Sequence, residues 1–192
     1  EEFNKILEDK GYICDHFHNI GLPRSEYIKN ISKFSIRKLH KYLEIKKSKK
    51  IVLCFGLRPT STNVNACEEG NNGTSLTSVI YFLKSMTDLA KHFKQLYFVI
   101  RFKTMSTMDE MPNELISEVK KTDNIEIQND FKKVNSYELA SISDLIIGKQ
   151  TLIMEEALSA GKKIIFYDNE NYMSSLDCPI YKLNNLVTKD FN

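Results

Sequence analysis

The sequence lacks the features that mark several common classes of protein. Its net charge is only +2, from 27 basic and 25 acidic side chains, which is too small an excess to indicate a nucleic-acid partner. No apolar run approaches the length of a membrane-spanning helix. There is no P-loop, no zinc signature and no Ser-His-Asp order. What remains is an ordinary globular protein, for which a hydrophobic content of 42% is normal.

The cysteines and histidines do not have the spacing of a metal site. We interpret the cysteines as reduced thiols of a cytoplasmic protein. His16 and His18 could share one face of a strand, but no carboxylate or thiol lies at a spacing that would complete a site, so a solvated strand is the favoured interpretation. We expect no metal and no cofactor. The cysteines are Cys14, Cys54, Cys67 and Cys178.

The chain begins with Glu1-Glu2-Phe3-Asn4, without a Met and without a signal peptide. We therefore interpret it as a piece of a longer protein. Residues 1–48 are expected to be the end of an N-terminal domain and an interdomain linker, forming a short helical extension. Residues 49–192 are expected to be a single α/β domain.

Apolar runs alternate with helical patterns through the second of these regions. Apolar residues recur at helical spacing from Val79 to Phe93, between two runs that are apolar enough for strands buried on both faces. This alternation predicts a doubly wound parallel sheet with helices on both faces, with Ile51–Leu57 and Asp144–Ile147 at its centre. The predicted strands are Ile51–Leu57, Leu96–Phe102, Ile125–Ile127, Asp144–Ile147 and Ile164–Tyr167, with a short edge strand at Pro179–Leu183.

The most informative stretch, Ser143–Asp168, has the pattern strand, turn, helix, glycine stop, strand. Leu145–Ile147 is apolar and Gly148 breaks the run, after which Thr151 can cap a helix that Gly161 ends. Open α/β sheets bind ligands at the carboxyl ends of their strands, and a helix N-terminus there attracts phosphate. The pattern therefore predicts a binding site for a ligand that contains phosphate.

This stretch resembles the nucleotide-binding half of the GT-B glycosyltransferases, and bacterial surface-polysaccharide and CDP-glycerol glycerophosphotransferase-like members most of all. Gly21-Leu22-Pro23-Arg24-Ser25-Glu26 is similar to the GxPR-S/N-D/E sequence that ends their N-terminal domain. Phe98–Lys103 is similar to their strand ending in IR and a basic or His residue. The segments occur in family order, and the resemblance covers residues 17–170. It implies a Rossmann-like domain that binds a nucleotide-activated donor.

The resemblance places Glu156 where the family commonly holds the donor's ribose hydroxyls. A carboxylate can accept hydrogen bonds from two vicinal hydroxyls at once, which suits this role. One alternative is a solvated surface glutamate favoured by the helix dipole. Another is a register shifted by one residue, in which Glu155 is the family acid.

The turn before this helix is implied to hold the donor's diphosphate. Gly148 and Thr151 match the turn, and backbone N–H groups from Gln150 to Leu152 would meet the phosphates. Leu152 replaces a second Ser or Thr that relatives often carry, which removes one hydroxyl ligand. An ordinary N-cap at Thr151 is the alternative, and it is compatible with phosphate binding.

Basic residues follow the first two predicted strands. Arg58 lies where relatives often place a basic residue for the phosphates, although a surface arginine is equally favoured. Arg101 and Lys103 share a face by strand alternation and are candidate contacts for the donor's phosphates or base, although charges are common at exposed strand ends. Arg24, at the expected hinge, would position the crossing between domains without touching the ligand.

We therefore predict the donor-binding domain of a glycosyltransferase of bacterial surface-polysaccharide biosynthesis. The partners implied are a nucleotide-sugar donor and a glycan or lipid-linked acceptor, the latter bound by the missing N-terminal domain. The isolated chain is expected to lack turnover, and the full-length protein to act in the cytoplasm, with peripheral association at the inner face of the membrane. The long loop Arg58–Ser75 is predicted to be mobile without ligand and to close over donor or acceptor.

Other functions remain open on the same fold. These are a polyol-phosphate transferase, a sugar-nucleotide epimerase, and a nucleotide-binding module without catalysis. An epimerase would need acid and base groups in the cleft, and none is identifiable in the sequence. The replacement at Leu152 leaves room for a module that has lost its donor site.

Overall fold

The computed structural model describes residues 22–31, 33–43, 49–56, 75–103, 105–149, 151–168 and 187–188, with the backbone alone at 33–35, 105–106 and 187. Among them, the helices are α1 (Ser25–Lys29), α2 (Lys33–Tyr42), α3 (Leu76–His92), α4 (Asn113–Lys120), α5 (Ser136–Ile142) and α6 (Leu152–Ser159), with a 3-10 turn at Met105–Met108. The strands are β1 (Lys50–Gly56), β2 (Leu96–Phe102), β3 (Ile125–Ile127), β4 (Leu145–Gly148), β5 (Ile164–Tyr167) and β6 (Val187–Thr188). Several predictions fall outside the described residues: the histidine pair, Arg58 and the loop after it as far as residue 74, Gln150, and the edge strand Pro179–Leu183.

The described strands form one parallel sheet in the order β3-β2-β1-β4-β5-β6. All of β1 is buried except Lys50, because strands pair with it on both sides and helices cover both its faces. The predicted doubly wound sheet with β1 and β4 at its centre is confirmed. This strand order is that of the dinucleotide-binding folds.

Side-chain alternation along β1 divides the core into two layers. Val52 and Cys54 pack with α3 and α4 on one face, whereas Leu53 and Phe55 pack with α1, α2, α5 and α6 on the other. The predicted apolar stripe of α3 is buried up to its last turn, but Phe93 is the C-cap and remains 37% exposed. No helix in the described part of the chain is both long and apolar enough to cross a membrane.

The helical segment before the sheet belongs to the same core. Ile28 of α1 and Leu39 of α2 are buried in the layer that contains α5 and α6. Ser25 is the first residue of α1, and Arg24 occupies the N-cap position without a side-chain cap bond. Helices α1 and α2 thereby cover the surface of α5 and α6.

Helix α6 ends as predicted, at a glycine with left-handed backbone. Gly161 has φ +80°, and its N–H donates to the carbonyl of Leu158 at 2.9 Å. Lys162, which follows this helix end, donates from Nζ to the carbonyls of Ser141 and Ser143 at 2.5 and 3.1 Å, where α5 ends. Burial there lowers the pKa of Lys162.

Candidate functional site

The winding of the chain changes direction between β1 and β4. Helix α3, after β1, lies on one face of the sheet, and α6, after β4, lies on the other. Because these two strands are neighbours, their carboxyl ends, where Phe55 pairs with Gly148, form a topological switch point, which is called the crevice below. This is the position at which open α/β sheets bind ligands.

The strand ends that border the crevice pack too closely for side chains. A Cβ atom on Gly148 would lie 2.9 Å from the carbonyl oxygen of Phe55 and 3.3 Å from the sulfur of Met154. A Cβ atom on Gly56 would lie 2.5 Å from the ring of Phe102. Gly148, predicted as the turn residue, is the last residue of β4, and it allows α6 to approach β1.

The start of α6 lies at the crevice. Thr151 is its N-cap residue, with extended backbone, but its hydroxyl makes no cap hydrogen bond. That oxygen is shielded from solvent and has no hydrogen-bond partner among the described residues. Leu152, the first helical residue, is 54% exposed. The N–H groups of the first turn therefore receive no cap from Thr151, and phosphate oxygens are the acceptors that such groups commonly bind.

A buried lysine that is not among the predicted ligand contacts lies beside this helix start. Lys149 is 8% exposed, and its Nζ donates to the hydroxyl of Ser78 in the first turn of α3. The N–H of Ser78 in turn donates to the capping hydroxyl of Ser75 at 3.0 Å. Lys149, which precedes the N-cap of α6 by two residues, thus brings its ammonium group to the first turn of α3. Both helix starts carry positive partial charge. The position of Lys149 directly after Gly148 is the signal that could have identified it.

Glu156 is buried, so the alternative of a solvated surface glutamate is wrong. It is 2% exposed because α1 and α5 pack against α6 and cover it. The hydroxyl of Tyr137 donates to its Oε2 at 2.8 Å, and Nη1 of Arg24 donates to the same hydroxyl oxygen at 3.2 Å. Burial raises the pKa of Tyr137, so the phenol keeps its proton at neutral pH. Glu155, the alternative acid, is partly exposed.

A small cavity lies on the outer side of Tyr137. It measures about 270 Å³ and is lined by Arg24, Tyr27, Asn135 and Tyr137. The two tyrosine rings meet edge to face, with centroids 5.9 Å apart. The cavity thus lies one side chain away from the buried carboxylate of Glu156.

Arg101 and Lys103, which were expected to share a strand face, have different surroundings, and β2 ends before Lys103. Lys103 is exposed, whereas Arg101 is 1% exposed, and its two Nη atoms donate to the carbonyls of Gln128 and Val134 at 2.9 and 2.8 Å. Its guanidinium also lies 3.8 Å from the ring centroid of Phe131. The alternative of an ordinary charge at an exposed strand end is therefore wrong for Arg101, which holds the segment between β3 and α5. A donor contact by either residue remains a prediction.

The structure thus brings most of the described candidates to one place. Gly148, Thr151 and Leu152 surround the start of α6, and Glu156 lies about one turn further along the helix. Lys149 joins this group from the same turn, although sequence reasoning had not proposed it as a ligand contact. Arg101 lies apart, on the β2–β3 side of the sheet.

Neither a family model nor a curated protein sequence matches the chain. Solved structures do match it: the wall teichoic acid polymerase TagF has a TM-score of 0.59 at 15% identity, over 97% of this chain and 43% of that one. The fold is GT-B-like. A TagF variant soaked with CDPG matches with a TM-score of 0.57 at 12% identity, over 97% of this chain and 41% of that one.

An enzyme of another class shares the fold. The UDP-GlcNAc 2-epimerase from Neisseria meningitidis, bound to UDP-GlcNAc, has a TM-score of 0.56 at 17% identity, over 87% of this chain and 39% of that one. The chain therefore spans about two-fifths of the length of each of these proteins. At such identities the similarity shows the fold alone.

Proposed function

We propose that this chain is the donor-binding domain of a glycosyltransferase that takes a nucleoside-diphosphate-activated sugar for surface-polysaccharide assembly. The observation that carries the proposal is the position of Lys149. Its ammonium group contacts the first turn of α3, and the residue itself lies two positions before the N-cap of α6, where the winding of the sheet changes direction. A buried cation and two helix N-termini together favour a ligand with concentrated negative charge, such as a diphosphate.

The same groups suit the chemistry of glycosyl transfer. The bond from the sugar to the diphosphate breaks, and negative charge grows on the leaving phosphate. Preorganised N–H groups and a cation at a low-dielectric crevice stabilise that charge. Lys149, Thr151 and the first-turn amides of α6 would supply this stabilisation, with Arg58 and Gln150 as further proposed contacts.

The proposed ribose site is Glu156. From Thr151 to Glu156 is five residues, which is about 7.5 Å along a helix at about 1.5 Å per residue, and this matches the step from a diphosphate to a ribose. The carboxylate oxygen Oε2 accepts from Tyr137. A carboxylate has about four acceptor positions, so this bond is compatible with one or two ribose hydroxyls.

The ligands named with similar structures support a nucleoside diphosphate as the class of donor. CDPG and UDP-GlcNAc differ in base and in the group transferred, but both join a ribonucleoside to a diphosphate. The TagF similarity keeps a polyol-phosphate transferase as a second candidate. The epimerase similarity keeps a third, and analysis of the products made by the full-length protein would separate the three.

Titration of the chain with CMP, CDP, UDP and GDP by calorimetry tests the proposal. We expect at least one diphosphate to bind, and Glu156→Gln to weaken its binding by about 1–3 kcal/mol, the usual range for a lost charged hydrogen bond. Glu155→Gln is the matched control and should leave the affinity unchanged. A reversed result would move the register by one residue, and failure of all four nucleotides to bind would overturn the proposal.

A further inference from the structure

Three helices each contribute one member of a hydrogen-bonded chain that ends on Glu156. Arg24 precedes α1, Tyr137 lies in the first turn of α5, and Glu156 lies in α6. A phenol has a single proton, and Tyr137 donates it to Oε2 of Glu156. The phenol oxygen therefore accepts from Arg24, and the chain runs in one direction, from cation to carboxylate.

This direction matters because Glu156 is almost inaccessible to water. A buried carboxylate needs hydrogen-bond donors in place of the water that it has lost. The Tyr137 hydroxyl donates to Oε2 of Glu156, and Arg24 donates to the Tyr137 oxygen. An ionised carboxylate in a fixed orientation is the form that accepts hydrogen bonds from two neighbouring hydroxyls.

We propose that Tyr137 is a positioning residue for ribose recognition, which holds the carboxylate of Glu156 in place while Arg24 holds Tyr137. The inference rests on the proposed donor site. In this arrangement the segment Pro23-Arg24-Ser25 contributes to recognition of the nucleotide through Tyr137, without contacting the nucleotide. The ligand class is a ribonucleotide with free 2′ and 3′ hydroxyls.

The cavity beside Tyr137 offers a matched control. Tyr27 lines the same cavity, its ring meets that of Tyr137 edge to face, and it is 52% exposed. Tyr27→Phe removes a hydroxyl from the same place but leaves the hydrogen bonds from Arg24 to Glu156 intact. Tyr137→Phe removes the bridging hydroxyl and keeps the aromatic ring.

The test compares CDP and UDP with their 2′,3′-dideoxy forms, measured by calorimetry on the wild type and both variants. We expect Tyr137→Phe to weaken binding of the ribonucleotide about 10-fold or more, as for a hydrogen bond to a charged group, and to change binding of the dideoxy form by less than about 2-fold. Tyr27→Phe should change neither. A role of Tyr137 in folding alone would lower both affinities equally.

Arg24→Gln is a second variant, on the exposed side of the chain of hydrogen bonds, and it keeps the test decisive if Tyr137→Phe does not fold. We expect about 3-fold weaker binding of the ribonucleotide only, since the charge acts through Tyr137. Equal losses for both nucleotide forms, or no loss with either variant, would overturn the assignment and leave the donor site standing. A wild type that binds neither CDP nor UDP in any form would overturn both.

Discussion

Arg101 and Glu156 are buried charged side chains in opposite halves of the sheet, and their hydrogen-bond partners are of different kinds. On the β2–β3 side, Arg101 donates to main-chain carbonyls of Gln128 and Val134. On the β4–α6 side, Glu156 accepts from the side chain of Tyr137, which is held in turn by Arg24. Both charged residues are at most 2% exposed.

The difference separates a fold-stabilising charge from one suited to a ligand. A carbonyl of the main chain is fixed by the path of the chain, so the partners of Arg101 cannot rearrange without local unfolding. A tyrosine hydroxyl turns about one bond, and a carboxylate can take a second partner while keeping the first. Burial alone therefore does not distinguish the roles of the two residues, whereas the chemistry of their partners does.

Replacement of Arg101 should have the largest effect on stability. Arg101→Met leaves two buried carbonyls without their donor, and we expect the free energy of unfolding to fall by about 2–4 kcal/mol. Nucleotide affinity measured well below the melting temperature should be unchanged. Urea denaturation and calorimetry measure the two quantities.

Lys103, which is exposed and directly follows β2, provides the control. Lys103→Met should change the free energy of unfolding by less than about 0.5 kcal/mol. Should Arg101→Met instead be as stable as the wild type and bind nucleotide poorly, the comparison would fail and the phosphate contact first predicted for Arg101 would be supported.

Replacement of Lys149 should have an intermediate effect, on binding. Lys149→Met removes the ammonium group that donates to Ser78, and we expect CDP or UDP to bind about 10-fold more weakly, because a charge-assisted contact to phosphate is lost. The corresponding nucleosides, which have no phosphate, should bind as they do to the wild type. Lys163→Met, which removes an exposed positive charge beyond α6, should leave both affinities unchanged. A loss of nucleoside binding equal to that of the diphosphate would contradict a phosphate contact.

Lys162 should show the smallest effect, in the pH dependence of stability. It resembles Arg101 in donating to carbonyls, but it is only half-buried, and burial lowers its pKa in the folded protein below the ordinary value of about 10.4. The unfolded chain therefore holds this proton more tightly, so stability should rise with pH between the lowered pKa and the ordinary one.

The measurement is urea denaturation of the wild type and Lys162→Met from pH 7 to pH 11, taking the difference so that other alkaline groups cancel. The wild type should gain stability relative to the variant as the pH rises. A relative loss over the same range would mean that the charged form of Lys162 is favoured in the folded protein.

The sheet could be predicted because its strands are buried on both faces and so are continuous apolar runs. The bounds of Leu96–Phe102, Ile125–Ile127 and Ile164–Tyr167 are those expected from the sequence. Helix α6 was predictable as well, because Gly161 adopts the left-handed backbone that ends it. These signals are local, and they depend on side-chain type alone.

The partners of the charged residues could not be predicted, because they come from distant parts of the chain. Arg101 bonds to carbonyls 27 and 33 residues away, and any residue type can supply a carbonyl. Tyr137 joins Glu156 at 19 residues and Arg24 at 113 residues. No local pattern at Glu156 shows that α1 and α5 will cover it, so its burial becomes visible only once the helices are packed.

The central pair of strands also sets the order in which a newly made chain can fold. The N–H of Ile51 bonds to the carboxylate of Asp144, which is 93 residues further along. During synthesis β1 can pair with β2 early, but its other edge stays open while the residues up to β4 are added, which takes roughly 2–9 s at about 5–20 residues per second. An open, apolar edge is a template for strands of other chains. If synthesis stalled before Leu145, the edge of β1 that pairs with β4 in the finished sheet would therefore stay exposed.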